Sequence, residues 1–308
     1  MSATLSQTAP FFALVALGYA AGRGGLFDPR ATAALTRFVF VFALPALLFG
    51  FASSLEIGEL WSASFVAAYL TGSVAVWATA LLAAVLRRVP AADAAMEAQC
   101  AVVGNVGFLG IPMLAVLLGP EAVGPVLLVV STDLVVFGSA IVVAVTAARG
   151  EVSAALPGRV AAGLLRNPMI VSIGLGLVWS AARLPVPGPV GATLTILGAA
   201  ATPGALFAIG ASLAALGAER FAVPVWLSFA KLILHPAAVG AAALWFEVEP
   251  YAASVMVAAA ALPVAGNVYI LAAHYGVAPG RVSASILFST VASVATVTLV
   301  VSLVGGAP

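Results

Sequence analysis

The nonapeptide "GNVGFLGIP", Gly104 to Pro112, interrupts a stretch from about residue 94 to 118 that otherwise reads as one apolar helix. Three glycines, an amide and a proline are poor helix material, because glycine adds backbone freedom while proline removes a donor and clashes one turn back. A segment of membrane length that carries its own interruption is the problem the fold has to solve.

The rest of the chain is strongly apolar. Of 308 residues 63% are hydrophobic and only 7% charged, with a mean hydropathy of +1.19. That leaves too little charge to cover a soluble domain, and the chain reads as an all-α polytopic membrane protein. Ten transmembrane segments are expected, at 5–22, 30–52, 61–86, 94–118, 122–147, 168–183, 190–215, 222–246, 251–274 and 281–304. They are continuous apolar runs rather than alternating strands, which excludes a β-barrel. The opening "MSATLSQTAPFF" lacks the positive region of a cleaved signal and is read as the start of the first segment. A lone Cys100 excludes an internal disulfide. The net charge of +1, without a basic stripe or phosphate-cradling loop, gives no case for nucleic acid. No metal or cofactor is expected.

Cations set the orientation. Arg23, Arg30, Arg37, Arg87, Arg88, Arg149, Arg159, Arg166, Arg220 and Arg281 fall at alternate connections, with only Arg183 on the opposite side. The positive-inside rule puts those connections in the cytoplasm and both termini outside a multi-pass cell membrane. Glu56, Glu59, Glu247 and Glu249 fall in the outside loops.

The sequence also repeats itself. "PALLF" at Pro45 is echoed by "PGALF" at Pro203, each 35 residues after an earlier proline, Pro10 or Pro168. "GNV" at Gly104 recurs at Gly266, its asparagine 60 residues beyond Pro45 in one copy and 64 beyond Pro203 in the other. Residues 1–147 are therefore read as one five-helix repeat, 148–167 as a cytoplasmic linker and 168–308 as the second repeat. Five is odd, so the second copy enters the membrane from the opposite face. Such inverted repeats are characteristic of secondary transporters, with the binding site at discontinuous helices near the midplane. Segments 4 and 9 are expected to be broken and to cross there.

A broken helix exposes amides at one half's start and carbonyls at the other's end, suited to an anion and a cation respectively. Asn105 and Asn267 add a donor and an acceptor each, or merely satisfy the interrupted backbone. Gly104, Gly107, Phe108, Pro112, Pro263 and Tyr269 complete the expected substrate-binding residues. Two ionisable groups stand near segment centres, where charge is expensive. Asp133, beside Ser131 and Thr132, can exchange a proton, hold sodium, or pair permanently with Lys231. Lys231 can neutralise a carboxylate or stand in for a bound cation, and His235 one turn later satisfies a carbonyl or shuttles protons. Glu97 is read as interfacial.

"GNVGFLGIP", "FAKLILHP" in segment 8 and "ALPVAGNVYILA" in segment 9 resemble the corresponding segments of bacterial members of the auxin efflux carrier family. The resemblance implies a fold similar to bile acid:sodium symporters, with segments 1, 2, 6 and 7 as scaffold and 3–5 and 8–10 as a mobile core. It further implies a homodimer joined through the scaffolds, elevator-type alternating access, and small organic anions such as auxin, malate or malonate as substrates. Bile acid symporters carry a glutamate in segment 9, where this chain has Asn267 and no acid, so coupling to sodium rather than protons is left open.

The reading is a secondary transporter of a small carboxylate, not an enzyme. Alternatives are a monovalent cation:proton antiporter or sodium symporter of the same architecture and, in another class, a retinal protein using Lys231 with Asp133 as counter-ion.

Overall fold

A computed structural model describes residues 2–54, 62–150, 152–214 and 222–304; Glu56, Glu59 and Arg220 lie outside them. Thirteen helices make up the regular structure of the described residues, apart from one isolated antiparallel bridge between Gly104 and Val264. In chain order they are α1 (Ser2–Arg23), α2 (Pro29–Ser54), α3 (Ala63–Leu86), α4 (Ala91–Val102), α5 (Val106–Leu118), α6 (Pro120–Ala148), α7 (Leu156–Arg166), α8 (Pro168–Ala181), α9 (Gly188–Ala214), α10 (Ala222–Trp245), α11 (Pro250–Ala260), α12 (Gly266–Tyr275) and α13 (Pro279–Val304).

Several starts follow from capping. Asp28 accepts from the Ala31 amide at 2.7 Å ahead of Pro29, and Asn167 accepts from the Met169 amide at 3.0 Å ahead of Pro168. Glu249 takes both the Tyr251 and Ala252 amides ahead of Pro250. Each pairs an oxygen acceptor with a proline whose missing N–H costs nothing in the first turn.

By length and composition α2, α3, α6, α9, α10 and α13 can each cross a membrane, and α7 with α8, bent by 72°, makes a seventh candidate span. Residues 148–167, expected as a cytoplasmic linker, contain α7. Leu156, Val160 and Leu164 recur every fourth position and give it an apolar face, with Arg159 and Arg166 among its other residues.

Segments 4 and 9 are each split in two, α4 from α5 and α11 from α12. The first break occupies only the start of the opening motif. Val106–Gly110 already forms a widened π turn, and Pro112 sits in the first α-helical turn after it, where its ring is tolerated.

Packing follows small residues. α1 lies against α9, where a Cβ on Gly18 would sit 2.1 Å from the Phe207 carbonyl oxygen and one on Gly210 would sit 1.9 Å from that of Val15. Backbone meets backbone here, as small-residue crossings allow. Gly210→Ala is expected to push the helices apart and cost about 1–3 kcal/mol, as overpacking generally does; a lower melting temperature of the detergent-purified protein checks it. α2 packs on α8 and α9, α3 on α10 and α4, α10 on α11 and α13, and α6 on α4 and α11.

Candidate functional site

The two breaks meet. The Asn105 amide donates to the Pro263 carbonyl at 2.8 Å, and the Ala265 amide returns a bond to the Val103 carbonyl at 3.1 Å. Two interrupted helices thus satisfy each other's stranded backbone, which is what permits irregular chain at this depth. Close approach needs glycine, since a Cβ on Gly110 would lie 2.6 Å from Leu262 of the other break. Ser289 of α13 supplies the missing acceptor for the Val264 amide at 3.1 Å. The carbonyl ends of α4 and α11 and the amide ends of α5 and α12 all converge on this crossing.

A cavity of about 1390 Å³ ends at the crossing. Gln99, Asn105, Phe108, Asp133, Asn267 and Tyr269 line one side of it, while Thr36, Arg37 and Phe40 of α2 and Ala208 and Ser212 of α9 line the other. Arg159 of α7 and His274 of α12 also reach its wall.

Of the expected site residues, Asn105, Phe108, Asn267, Tyr269 and Asp133 are therefore gathered in one cavity. Gly104, Gly107, Pro112 and Pro263 shape the crossing without lining the cavity, Gly107 by admitting Met169 of α8. Ser131 does not line it either, and the Thr132 hydroxyl is spent on the Leu128 carbonyl one turn back.

Lys231 departs from the expectation that it stands beside the substrate. It is fully buried behind the crossing, its Nζ donating to the Ala260 carbonyl at 2.5 Å and lying 3.0 Å from His235 Nδ1. The amino group thus rests on the carbonyl end of α11, where the helix dipole is negative. His235 Nε2 is 2.9 Å from the Ser73 hydroxyl, so His235 is spent between α3 and α10. The permanent Asp133–Lys231 ion pair is absent, since no direct salt bridge joins them among the described residues. Asp133 Oδ1 accepts instead from the Tyr69 hydroxyl at 2.8 Å.

Both ionisable groups sit in π turns, Asp133–Phe137 and Ala230–Leu234. Such one-residue expansions re-aim side chains and are frequent at functional sites. Gln99 uses the first of them, donating from Nε2 to the Phe137 carbonyl at 3.0 Å.

Glu97 belongs to an ion-pair cluster. It is 1% exposed and holds Arg87 and Arg281, the latter at 2.5 Å, while Asp93 takes Arg281's other nitrogen at 2.7 Å. It joins α4 to α13. Sequence reasoning also missed Tyr69 and Ser73; the one signal for them was their spacing of one turn on segment 3.

Apolar helices arranged around two mutually paired broken helices, with a largely apolar cavity that carries a few polar groups at their meeting point, define a membrane transport protein. The chain belongs to the auxin efflux carrier-type family, whose model, described as "Membrane transport protein", matches residues 3–301. It is 33% identical over 296 residues to a protein of Rhizobium meliloti (strain 1021) named "Putative malonate transporter", an alignment covering 94% of this chain and 92% of that one.

Proposed function

We propose that the protein is a secondary transporter that carries a small organic anion, a carboxylate of the malonate type, across the cell membrane by alternating access. The observation that carries this reading is the cavity ending at the crossing of the broken helices, with Asn105 and Asn267 in its wall. Amide ends of two half-helices and two carboxamides can together take a carboxylate without burying a fixed cation beside it. The relative's name supports the substrate class.

In this reading the chain crosses the membrane ten times, as α1, α2, α3, α4–α5 and α6, then α8, α9, α10, α11–α12 and α13. The packing supports two inverted five-span copies, because exchanging each span for its counterpart five further on preserves the neighbours. α1 on α9 answers α8 on α2, α3 on α4 answers α10 on α11, and α4 on α13 answers α11 on α6. Scaffold helices α1, α2, α8 and α9 and a core of α3–α6 with α10–α13 then face each other across the cavity. A site between two such bodies suits an elevator-type shift of the core. The arginines at the cavity wall support an opening toward the cytoplasm, with both termini outside. Two chains joined through their scaffolds complete the unit implied by the resemblance.

A second reading, a monovalent cation carrier of the same architecture, draws on the unpaired oxygens of the site. The retinal reading is dropped, since Lys231 Nζ is committed to Ala260 and His235 away from the cavity.

Proteoliposomes separate the readings. Labelled malonate, malate or indole acetate is expected to accumulate and to be chased by unlabelled acid, and the same acids are expected to raise the melting temperature. At ligand a hundredfold above its Kd the stabilisation is about 2.7 kcal/mol. Neither uptake nor stabilisation by any of these acids, alongside sodium–proton exchange, would establish the cation reading instead.

A further inference from the structure

The buried polar atoms of the cavity are mismatched to an anion, and the mismatch rests on groups whose orientation is fixed. Asp133 Oδ1 is held by Tyr69, leaving Oδ2 buried without a partner. Gln99 Nε2 is held by the Phe137 carbonyl, leaving Oε1 likewise buried and unpartnered. Both residues are more than nine-tenths buried and both line the cavity. The oxygens of Asn105 and Asn267 are unpartnered too, but those carboxamides can rotate to present their NH₂ groups. Gln99 and Asp133 cannot do so without losing an existing bond. An incoming carboxylate therefore meets two fixed acceptors, one of them charged, in a setting where water screens little.

A single proton removes the conflict. Placed on Asp133 Oδ2 it converts the acceptor into a donor and cancels the like charge; the other carboxylate lining the cavity, Asp28, is exposed ahead of α2 and caps it through the Ala31 amide. The surroundings leave the task to Asp133. From α3 it meets Tyr69. From α10, Lys231 acts on it as an opposite charge without a direct salt bridge, its Nζ committed to Ala260 and next to His235. α4 presents Gln99, with Cys100 next to it and Glu97 toward its start, and Glu97 already holds two arginines. α2, α7 and α12 bring Arg37, Arg159 and His274 to the cavity wall. α5 carries no ionisable side chain, and that of α11, Tyr251, is turned to the Leu118 carbonyl.

We propose that Asp133 takes up one proton from the cavity water whenever the carboxylate binds and returns it when the carboxylate leaves, so that anion and proton move together. This inference rests on the carboxylate reading and names its coupling ion. The bond formed is O–H on Asp133 Oδ2, the proton comes from solution, and the loaded site is one charge less negative than the sum of its parts.

The test is calorimetric titration of the purified protein with malonate, malate and indole acetate, in pairs of buffers with different ionisation heats and with or without sodium. The wild type is expected to absorb about one proton per anion, its affinity falling toward tenfold per pH unit in the alkaline range, as one-proton linkage requires. Asp133→Asn is expected to bind without proton uptake and with no pH slope. Tyr69→Phe removes the donor to the charged carboxylate and should keep binding tight to higher pH. Wild-type binding without proton uptake, or dependent on sodium and flat with pH, overturns the inference while leaving the carboxylate reading intact. So does an Asp133→Asn protein that absorbs as many protons as the wild type or, should that variant not fold, a Tyr69→Phe profile that does not move. Failure of the wild type to bind any of the acids overturns the carboxylate reading and this inference with it.

Discussion

Alanine at both Asn105 and Asn267 is expected to abolish carboxylate-induced stabilisation while leaving the fold intact. Neither carboxamide oxygen has an intramolecular partner, so truncation strands no buried group of the protein itself. The crossing is held by backbone bonds from Asn105 to Pro263 and from Ala265 to Val103, which alanine preserves. What is lost is the pair of side-chain donors facing the ligand. Hydrogen bonds to a charged partner contribute about 1.5–3 kcal/mol each, so losing two weakens binding by at least a hundredfold. Thermal-shift titration with malonate reads this directly. An unchanged shift in the double variant would remove the site from the crossing.

The second large effect is expected at Glu97. Its carboxylate is nearly inaccessible and is gripped by Arg87 and Arg281, which are themselves about one third exposed. Glu97→Leu leaves two guanidinium groups facing each other with only Asp93 to balance Arg281. Removing one partner of a buried ion pair costs about 3–5 kcal/mol; partial solvation of the arginines brings the expected loss nearer 2 kcal/mol. Because the cluster ties the start of α4 to the start of α13, transport should fall with stability. Glu97→Gln, which keeps shape and two hydrogen-bonding positions, should recover part of the melting temperature. Equal stability of the Leu variant and the wild type would show that the cluster contributes nothing to holding the helices.

The contrast between these positions shows what the sequence could and could not convey. The breaks were legible because glycine, asparagine and proline impose themselves locally, and their recurrence at Gly266 marked the second break. Six of the apolar runs return as single helices long enough to cross a membrane, a length that hydrocarbon thickness sets. Direction was harder. Lys231 was recognisable as deep, but the π turn around it rotates the side chain behind the crossing, and a one-residue expansion leaves no mark in composition. The pairing of Glu97 was hidden because its partner Arg281 lies 184 residues away. Tyr69 and Ser73 lie in an apolar run that reads equally well as packing. In α7 the four-residue spacing of Leu156, Val160 and Leu164 was present, but a proline, glycines and arginines obscured it.

The Lys231 contact with Ala260 has one more consequence. A dissolved ion resting on those peptide oxygens would come and go with its abundance in the surrounding fluid, and the joint would loosen whenever the supply ran low. An amino group fastened to the polypeptide cannot be diluted away. The end of α11 therefore stays braced in fresh water and brine alike.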